Sequence, residues 1–315
     1  MQRPRMCCRD RMKNGVSTGR RCLACNAVAM VTANEPIWPL GWRCSSCGQV
    51  VAQGQGIPLF APKLADTASG FDPASFTMLS ELEASHFWFV ARNELLVGLA
   101  NKFCPKARRF LEVGCGTGAV LREFASSRSW ERIVGSELHP AGLNHARQRL
   151  PSAVEFAQMD ARQIPALGLF DLVGAFDVIE HIEDDEGVLR GLRAATEPGG
   201  GIIVSVPQHP WLWSPADDFA HHERRYRRGE LETKFHRNGF EVVFSSSYTS
   251  LLMPLMAAGR LMRSGKEASA DAYEFKVSPL ANRLFTAIQR AEVRMTLAGW
   301  SWPAGGSRIV VGRAR

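Results

Sequence analysis

The chain has 315 residues, 45% of them hydrophobic and 22% charged, the balance of an ordinary globular protein with room for one large domain and a smaller one. Residues 1–21 carry seven Arg and Lys against Asp10, which accounts for +6 of the net +7 and leaves the rest of the chain near neutrality, without the basic stripe that nucleic-acid binding needs. No run of 18 apolar residues is present, which excludes a membrane-spanning helix, and no apolar core of signal-peptide length lies in the basic tail.

Residues 1–20 read as a disordered basic tail. The next segment, 21–60, holds Cys22-x-x-Cys25 and Cys44-x-x-Cys47, eighteen residues apart. Two C-x-x-C pairs at that spacing predict a small zinc ribbon in which four thiolates close a tetrahedron. A four-thiolate set leaves no open position, so the zinc is expected to be structural. Cysteines used this way, with another inside the glycine loop described below, suit a reducing compartment, and a cytoplasmic location is expected. The stretch Gly54 to Phe60 reads as the closing strand of the ribbon, and 61–74, with Pro62, Ser69 and Gly70, as a linker.

From residue 75 to 315 the pattern changes. Apolar residues at helical spacing, among them Phe76, Leu79, Leu82, Leu95, Leu96 and Leu99, predict two helices ending before Pro105. The run Arg109 to Val113 reads as a buried strand. Gly114, Gly116 and Gly118 follow, and Ala119-Val120-Leu121 opens a helix. Glycines suit such a bend because a Cβ would keep the backbone from closing on a ligand, and the helix N-terminus beyond it presents free N–H groups. Gly114-x-Gly116-x-x-Ala119 also satisfies the dinucleotide fingerprint. Glu112 argues the other way: a carboxylate at the strand tip can hold a cationic amine or a sulfonium-bearing amino acid and would repel a pyrophosphate.

With that stretch the sequence resembles the class I S-adenosylmethionine-dependent methyltransferases, whose first motif reads apolar-apolar-Glu/Asp-x-Gly-x-Gly-x-Gly. Beyond it strands and helices alternate, as in a parallel doubly wound sheet. Ile133 to Glu137 is the second strand. Glu137 ends it nineteen residues past Gly118, where a carboxylate suits the two hydroxyls of a ribose. Val154 to Asp160 is the third strand, and the resemblance implies that Asp160 and Ala161 face an adenine. Phe170 to His181 is the fourth strand and its loop. The carboxyl end of a central strand is where an open α/β sheet places its ligand, which adds Asp177 to the cofactor-binding candidates. This run resembles the acid-x-x-Glu-His segment of the ubiquinone-type O-methyltransferases. Likewise His86-Phe87-Trp88-Phe89 and Arg92 resemble the helices that cover the cofactor and substrate mouth of many small-molecule methyltransferases, although plain core packing also accounts for most of these aromatics.

Ile202 to Pro207 is a fifth strand after the Pro198-Gly199-Gly200-Gly201 turn. Gln208 to Pro215 and His221 to Tyr226 offer polar groups and two tryptophans for a substrate pocket. Glu230 to Asn238 is a helix and Phe240 to Phe244 a strand. The apolar stretch around Leu251 to Met256 reads as core, with a lid against a greasy substrate or a peripheral contact with a membrane surface as the second reading. Arg263 to Glu274 reads as a mobile loop and Pro279 to Leu297 as an amphipathic helix. Gly305 to Val311 resembles the family's antiparallel last strand. The resemblance therefore implies a Rossmann-like doubly wound α/β sheet of seven strands whose last strand is antiparallel.

The chemistry so implied is attack of an acceptor nucleophile on a sulfonium methyl carbon, on a small-molecule acceptor of apolar or aromatic character. A hydroxyl acceptor needs a base, for which His181, His209 and His222 are the candidates. Asp177, Glu180 and His181 form a set able to hold magnesium, or Glu180 serves only to fix the imidazole tautomer. A zinc-ribbon RNA methyltransferase and a non-catalytic scaffold are the rival readings. The first lacks both an Asn/Asp-Pro-Pro-aromatic motif and a nucleophilic cysteine near the fourth strand; the second leaves the acidic strand tips unexplained.

Overall fold

The computed structural model describes residues 18–33, 35–67, 75–261 and 277–315. The tail through residue 17, the linker from 68 to 74 and the predicted mobile loop Arg263 to Glu274 lie outside these residues.

Twelve strands and ten helices are defined among the described residues. The strands are β1 (Gly19–Arg21), β2 (Val28–Ala29), β3 (Ala52–Gly54), β4 (Ile57–Leu59), β5 (Arg109–Val113), β6 (Arg132–Glu137), β7 (Glu155–Gln158), β8 (Ala166–Leu167), β9 (Phe170–Phe176), β10 (Thr196–Pro207), β11 (Phe240–Tyr248) and β12 (Ser307–Ala314). The helices are α1 (Pro62–Thr67), α2 (Ser75–Leu82), α3 (Phe87–Phe103), α4 (Ala119–Ser127), α5 (Pro140–Arg149), α6 (Asp185–Ala195), α7 (Pro215–Phe219), α8 (Glu230–Arg237), α9 (Met253–Leu261) and α10 (Pro279–Leu297).

One sheet runs β11-β12-β10-β9-β5-β6-β7-β4-β3. Strands β10, β9, β5, β6 and β7 are mutually parallel, and β12 enters antiparallel between β10 and β11. The parallel strands are buried on both faces, which is why β5 and β9 read as continuous apolar runs. Two buried clusters cover the faces: Leu111, Val173 and Val204 belong to one, Phe110, Leu172 and Ile203 to the other, the alternation a strand imposes.

The sheet has nine strands where seven were expected. Seven come from residues 109–314, and the additional two are the hairpin β3–β4, which the sequence pattern had placed in the ribbon. Its two-residue turn, Gln55 (φ 52°) and Gly56 (φ 73°), has the left-handed pair of a tight hairpin. Strand β4 then lies parallel to β7, Leu59 opposite Gln158. A three-stranded sheet, β2-β1-β8, ties the cysteine segment to the chain after β7. Strand β10 is longer than predicted because the glycine turn is absorbed into it as an irregularity between Thr196 and Gly201. Strand β11 likewise runs on to Tyr248. No helix among the described residues is long and apolar enough to cross a membrane.

Candidate functional site

The bend after β5 has the backbone that its glycines allow. Gly114, Gly116 and Gly118 have φ of 73°, 50° and 81°, and a Cβ on Gly118 would lie 2.8 Å from Leu150 and 2.9 Å from Ala146. At Gly114 a Cβ would collide with Val178, from the loop after β9. The N–H groups of Gly114 and Cys115 both donate to the Ser136 carbonyl, 2.8 and 2.9 Å, so the bend is pinned to β6.

The acidic strand tips stand round this bend in different states. Glu112 is 2% exposed and its Oε2 has no hydrogen-bond partner among the described residues. Burial pushes its carboxyl well above the usual range, against the pull of Arg92, with Glu83 and Glu137 adding to the rise. Glu137, one strand over, accepts from Gly116 N–H at 3.1 Å through Oε2 and from the Leu138 and His139 N–H groups through Oε1, at 2.8 and 3.1 Å. Asp160 is held by Arg162, whose Nη2 lies 2.9 Å from Oδ2. Ala161 is buried in the core, its carbonyl close under Gly191 of α6. Asp177, at φ 55°, forms an ion pair with Arg92 at 2.6 Å.

The helices before β5 close over the bend. Phe76 of α2 lies against Gly116 and Gly142, and Thr117 donates to Glu83, which also pairs with Arg149 at 3.2 Å. Arg92 of α3 is 8% exposed and stacks on Trp88, 4.5 Å from the ring centre. Glu83 and Phe76 carried no signal in the sequence beyond helical spacing.

Of the three histidines, two meet. The His181 and His222 rings are 4.7 Å apart, edge to face. A carboxylate oxygen of Glu180 and one ring nitrogen of each histidine lie within 4.8 Å of one another. This corrects the set Asp177, Glu180 and His181: Asp177 is taken by Arg92, and His222, brought back by α7 and the loop after it, stands in its place. Glu180 is fully buried with neither oxygen hydrogen-bonded among the described residues, and burial and then Asp177 push its carboxyl well up. Burial, with His222 beside it, holds His181 down at about 4, which makes it a weak base at neutral pH.

His222 is positioned by Asp217, which neither motif nor periodicity singled out. Burial pushes Asp217 up, but the His222 hydrogen bond and Arg225 outweigh it and hold the carboxyl at about 2. As a carboxylate it accepts from His222 Nδ1 at 2.8 Å, which turns Nε2 toward Glu180, 3.9 Å away. The Ser214-x-x-Asp217 capping box on α7 was the one trace of it in the sequence. His209 stands apart beside Trp211, 5.6 Å between ring centres, at φ 64° and with Nε2 buried and not hydrogen-bonded among the described residues. Trp211 and Trp213, offered for a substrate pocket, are 60% and 39% exposed; in the stretch Leu251 to Met256, read as core, Leu252 is buried but Leu255 is 55% exposed, so that stretch is only partly core.

The four cysteines of the N-terminal segment gather at one point. Cys22 and Cys47 sulfurs are 3.7 Å apart, as are Cys25 and Cys44. Two matching turns bring them there. Asn26 N–H donates to Cys22 O and Gly48 N–H to Cys44 O, with Asn26 (φ 62°) and Gly48 (φ 74°) in the left-handed region. Thiolates bound 2.3 Å from a tetrahedral zinc stand about 3.8 Å apart, so the donor set fits that ion.

Together the doubly wound sheet, the glycine bend and the acidic tips define a Rossmann-like α/β domain. The model of a family described as methyltransferase domain matches residues 83–244, half of the chain, and the chain belongs to that family. It is 27% identical over 151 residues to a ubiquinone biosynthesis O-methyltransferase of Albidiferax ferrireducens, covering 43% of this chain and 58% of that one. It is 31% identical over 119 residues to a malonyl-[acyl-carrier protein] O-methyltransferase of Haemophilus ducreyi, covering 36% and 46%. The chain spans about half the length of the curated relatives it matches. Among solved structures, a chain from the complex of the Haloferax volcanii Trm112 methyltransferase activator with a methyltransferase superposes over 76% of this chain and 94% of its own, with TM-score 0.52 at 16% identity, a likeness of fold alone.

Proposed function

We propose that the protein transfers a methyl group from S-adenosylmethionine to a small-molecule acceptor. The observation that carries this is Glu112: a buried carboxylate with an unpartnered oxygen, at a strand tip beside a side-chain-free bend. Burying such a group costs several kcal/mol unless a cation compensates it, on the order of 2–7 kcal/mol for an unpaired polar group. The amino acid portion of the cofactor supplies that cation. Glu112 and the bend would hold this portion, Glu137 the ribose, and Asp160 and Ala161 the adenine side, with Asp177 closing the set beyond Glu112. The bound cofactor contributes an activated methyl group with its own leaving group, so the protein supplies alignment and water exclusion. Residues of α2 and α3 exclude water, and His222, held by Asp217, takes the acceptor's proton.

Calorimetry with S-adenosylhomocysteine tests the reading. Binding is expected for the wild type and lost in Gly114→Val, whose branched Cβ meets Val178; heat with NADH instead would overturn it. A zinc reading of the cysteine cluster predicts one ion per chain by metal analysis.

A second reading is favoured by the grouping of Glu180, His181 and His222: a divalent ion held there. Two imidazoles and one carboxylate suit a transition ion better than magnesium. Metal analysis of the wild type and His222→Ala decides it, since this reading requires a second ion that the variant loses.

A further inference from the structure

The N-terminal segment meets the sheet at the strand whose far end carries Asp160, and one side chain makes most of that joint. Gln158, the last residue of β7, is fully buried. Its Oε1 accepts from Ala61 N–H at 2.9 Å while its Nε2 donates back to Ala61 O at 2.8 Å, so the amide pairs with the outgoing backbone of the hairpin β3–β4 as another peptide would. The same Nε2 donates to Leu138 O at 3.0 Å. Leu138 follows Glu137, and Glu137 lies opposite Gln158 in the ladder. Phe60 N–H closes the joint by donating to Gln158 O at 2.8 Å.

The rest of the segment grips the same stretch from below. Ile37 N–H donates to Glu155 Oε2 at 2.6 Å, and Trp38 Nε1 donates to Pro165 O at 2.9 Å in the core. Arg21 N–H donates to the same carbonyl, and Arg21 Nη2 to Ile164 O at 3.0 Å. Residues 155–167 are therefore held between the cysteine segment and the sheet, and they include both residues assigned to the adenine side.

We infer that the N-terminal segment is a working part of the cofactor site, with Gln158 as the positioning residue that transmits its hold to Glu137 and Asp160. The inference rests on the cofactor reading above. Gln158 touches none of the atoms expected to meet the ligand. It fixes where two of the carboxylates stand, so its loss reduces affinity by leaving those tips to be ordered on binding. An exposed edge that had merely needed covering would have no such effect.

The test uses the full chain, with S-adenosylhomocysteine as probe. Gln158→Ala removes all three side-chain bonds, and Ala61→Pro removes the N–H given to Gln158 and sets the ring Cδ against Gln158 Oε1 while leaving the Gln158 side chain in place. Calorimetry is expected to show affinity lowered about tenfold in the first and about threefold in the second, the smaller loss going with the smaller damage to the joint. Amide exchange is expected to rise over 137–142 and 155–162 in both, with protection of β9 and β10 kept. Affinity within twofold of wild type in both variants overturns the inference and leaves the cofactor reading standing. Absence of binding by the wild type overturns the cofactor reading and this inference with it. Should Gln158→Ala lose protection in β9 and β10 as well, its affinity reports unfolding, and Ala61→Pro decides by the same twofold criterion.

Discussion

The two sides of the glycine bend differ in how their carboxylates are kept. On the β6–β7 side Glu137 accepts from three backbone N–H groups and Asp160 from Arg162. On the β5–β9 side, among the described residues, Glu112 has an oxygen with no hydrogen-bond partner and Asp177 pairs with Arg92, which reaches in from α3. The first side is preset by local structure and by the N-terminal segment that braces it. The second side is balanced by one side-chain cation, Arg92, beside the place where the proposed ligand brings a cation of its own. A site built this way orders half of the ligand's contacts in advance and leaves the electrostatic half to be completed on binding.

The comparison breaks most visibly at Arg92. Arg92→Ala leaves Asp177 without its counter-charge, and removing one partner of a buried pair costs about 3–5 kcal/mol. Urea unfolding is expected to show a loss of that order, with part of it recovered when S-adenosylhomocysteine is present. A variant as stable as wild type would mean that the β5–β9 side is not held by this pair.

Glu112→Gln comes next. It keeps shape and removes charge, and a hydrogen bond to a charged group is worth about 1.5–3 kcal/mol, so affinity is expected to fall about 10–100-fold by calorimetry. The sign of the pH dependence sharpens it. Burial holds the Glu112 carboxyl well above its ordinary value, so the empty site binds a proton that a cationic ligand must displace. Affinity is therefore expected to rise with pH above the ordinary carboxylate range, and Glu112→Gln to flatten that rise.

A smaller effect is expected from His86, at the start of α3. Its Nδ1 accepts from Trp88 N–H at 3.3 Å, and burial holds it down at about 4 against an ordinary 6.5. The unfolded chain takes up the proton first on acidification. Stability from this group is complete above pH 6.5 and is lost as pH falls through about 4, by about 2 kcal/mol after allowance for solvent. Denaturation curves for wild type and His86→Asn at pH 7.5 and pH 5 measure it, and equal acid sensitivity would remove His86 as the cause.

Asp160→Asn is the mildest. Its partner Arg162 is 39% exposed, and such pairs contribute below about 1 kcal/mol. Affinity within about fivefold of wild type is expected. A loss as large as that of Glu112→Gln would erase the distinction between the two sides.

The local features were legible in the chain because neighbours in sequence cause them. The bend at Gly114 to Gly118 follows from a buried apolar strand meeting residues that tolerate positive φ. The two cysteine turns end at Asn26 and Gly48 for the same reason, and the alternation of strands and helices from residue 109 on marks a parallel sheet. What only the tertiary structure decided depends on partners far apart along the chain. Arg92 meets Asp177 across 85 positions. Asp217 and His222 return to Glu180 through a segment that the sequence marked as pocket material, with His222 a candidate base, but without showing its partners. The hairpin at 52–59 joins the main sheet because β7 has an unpaired edge beside it, and strand-edge pairing is read from geometry, since the same alternating residues would serve equally well in a closed ribbon. Spacing in the chain specifies which groups are present; packing selects which of them stand within reach of one another.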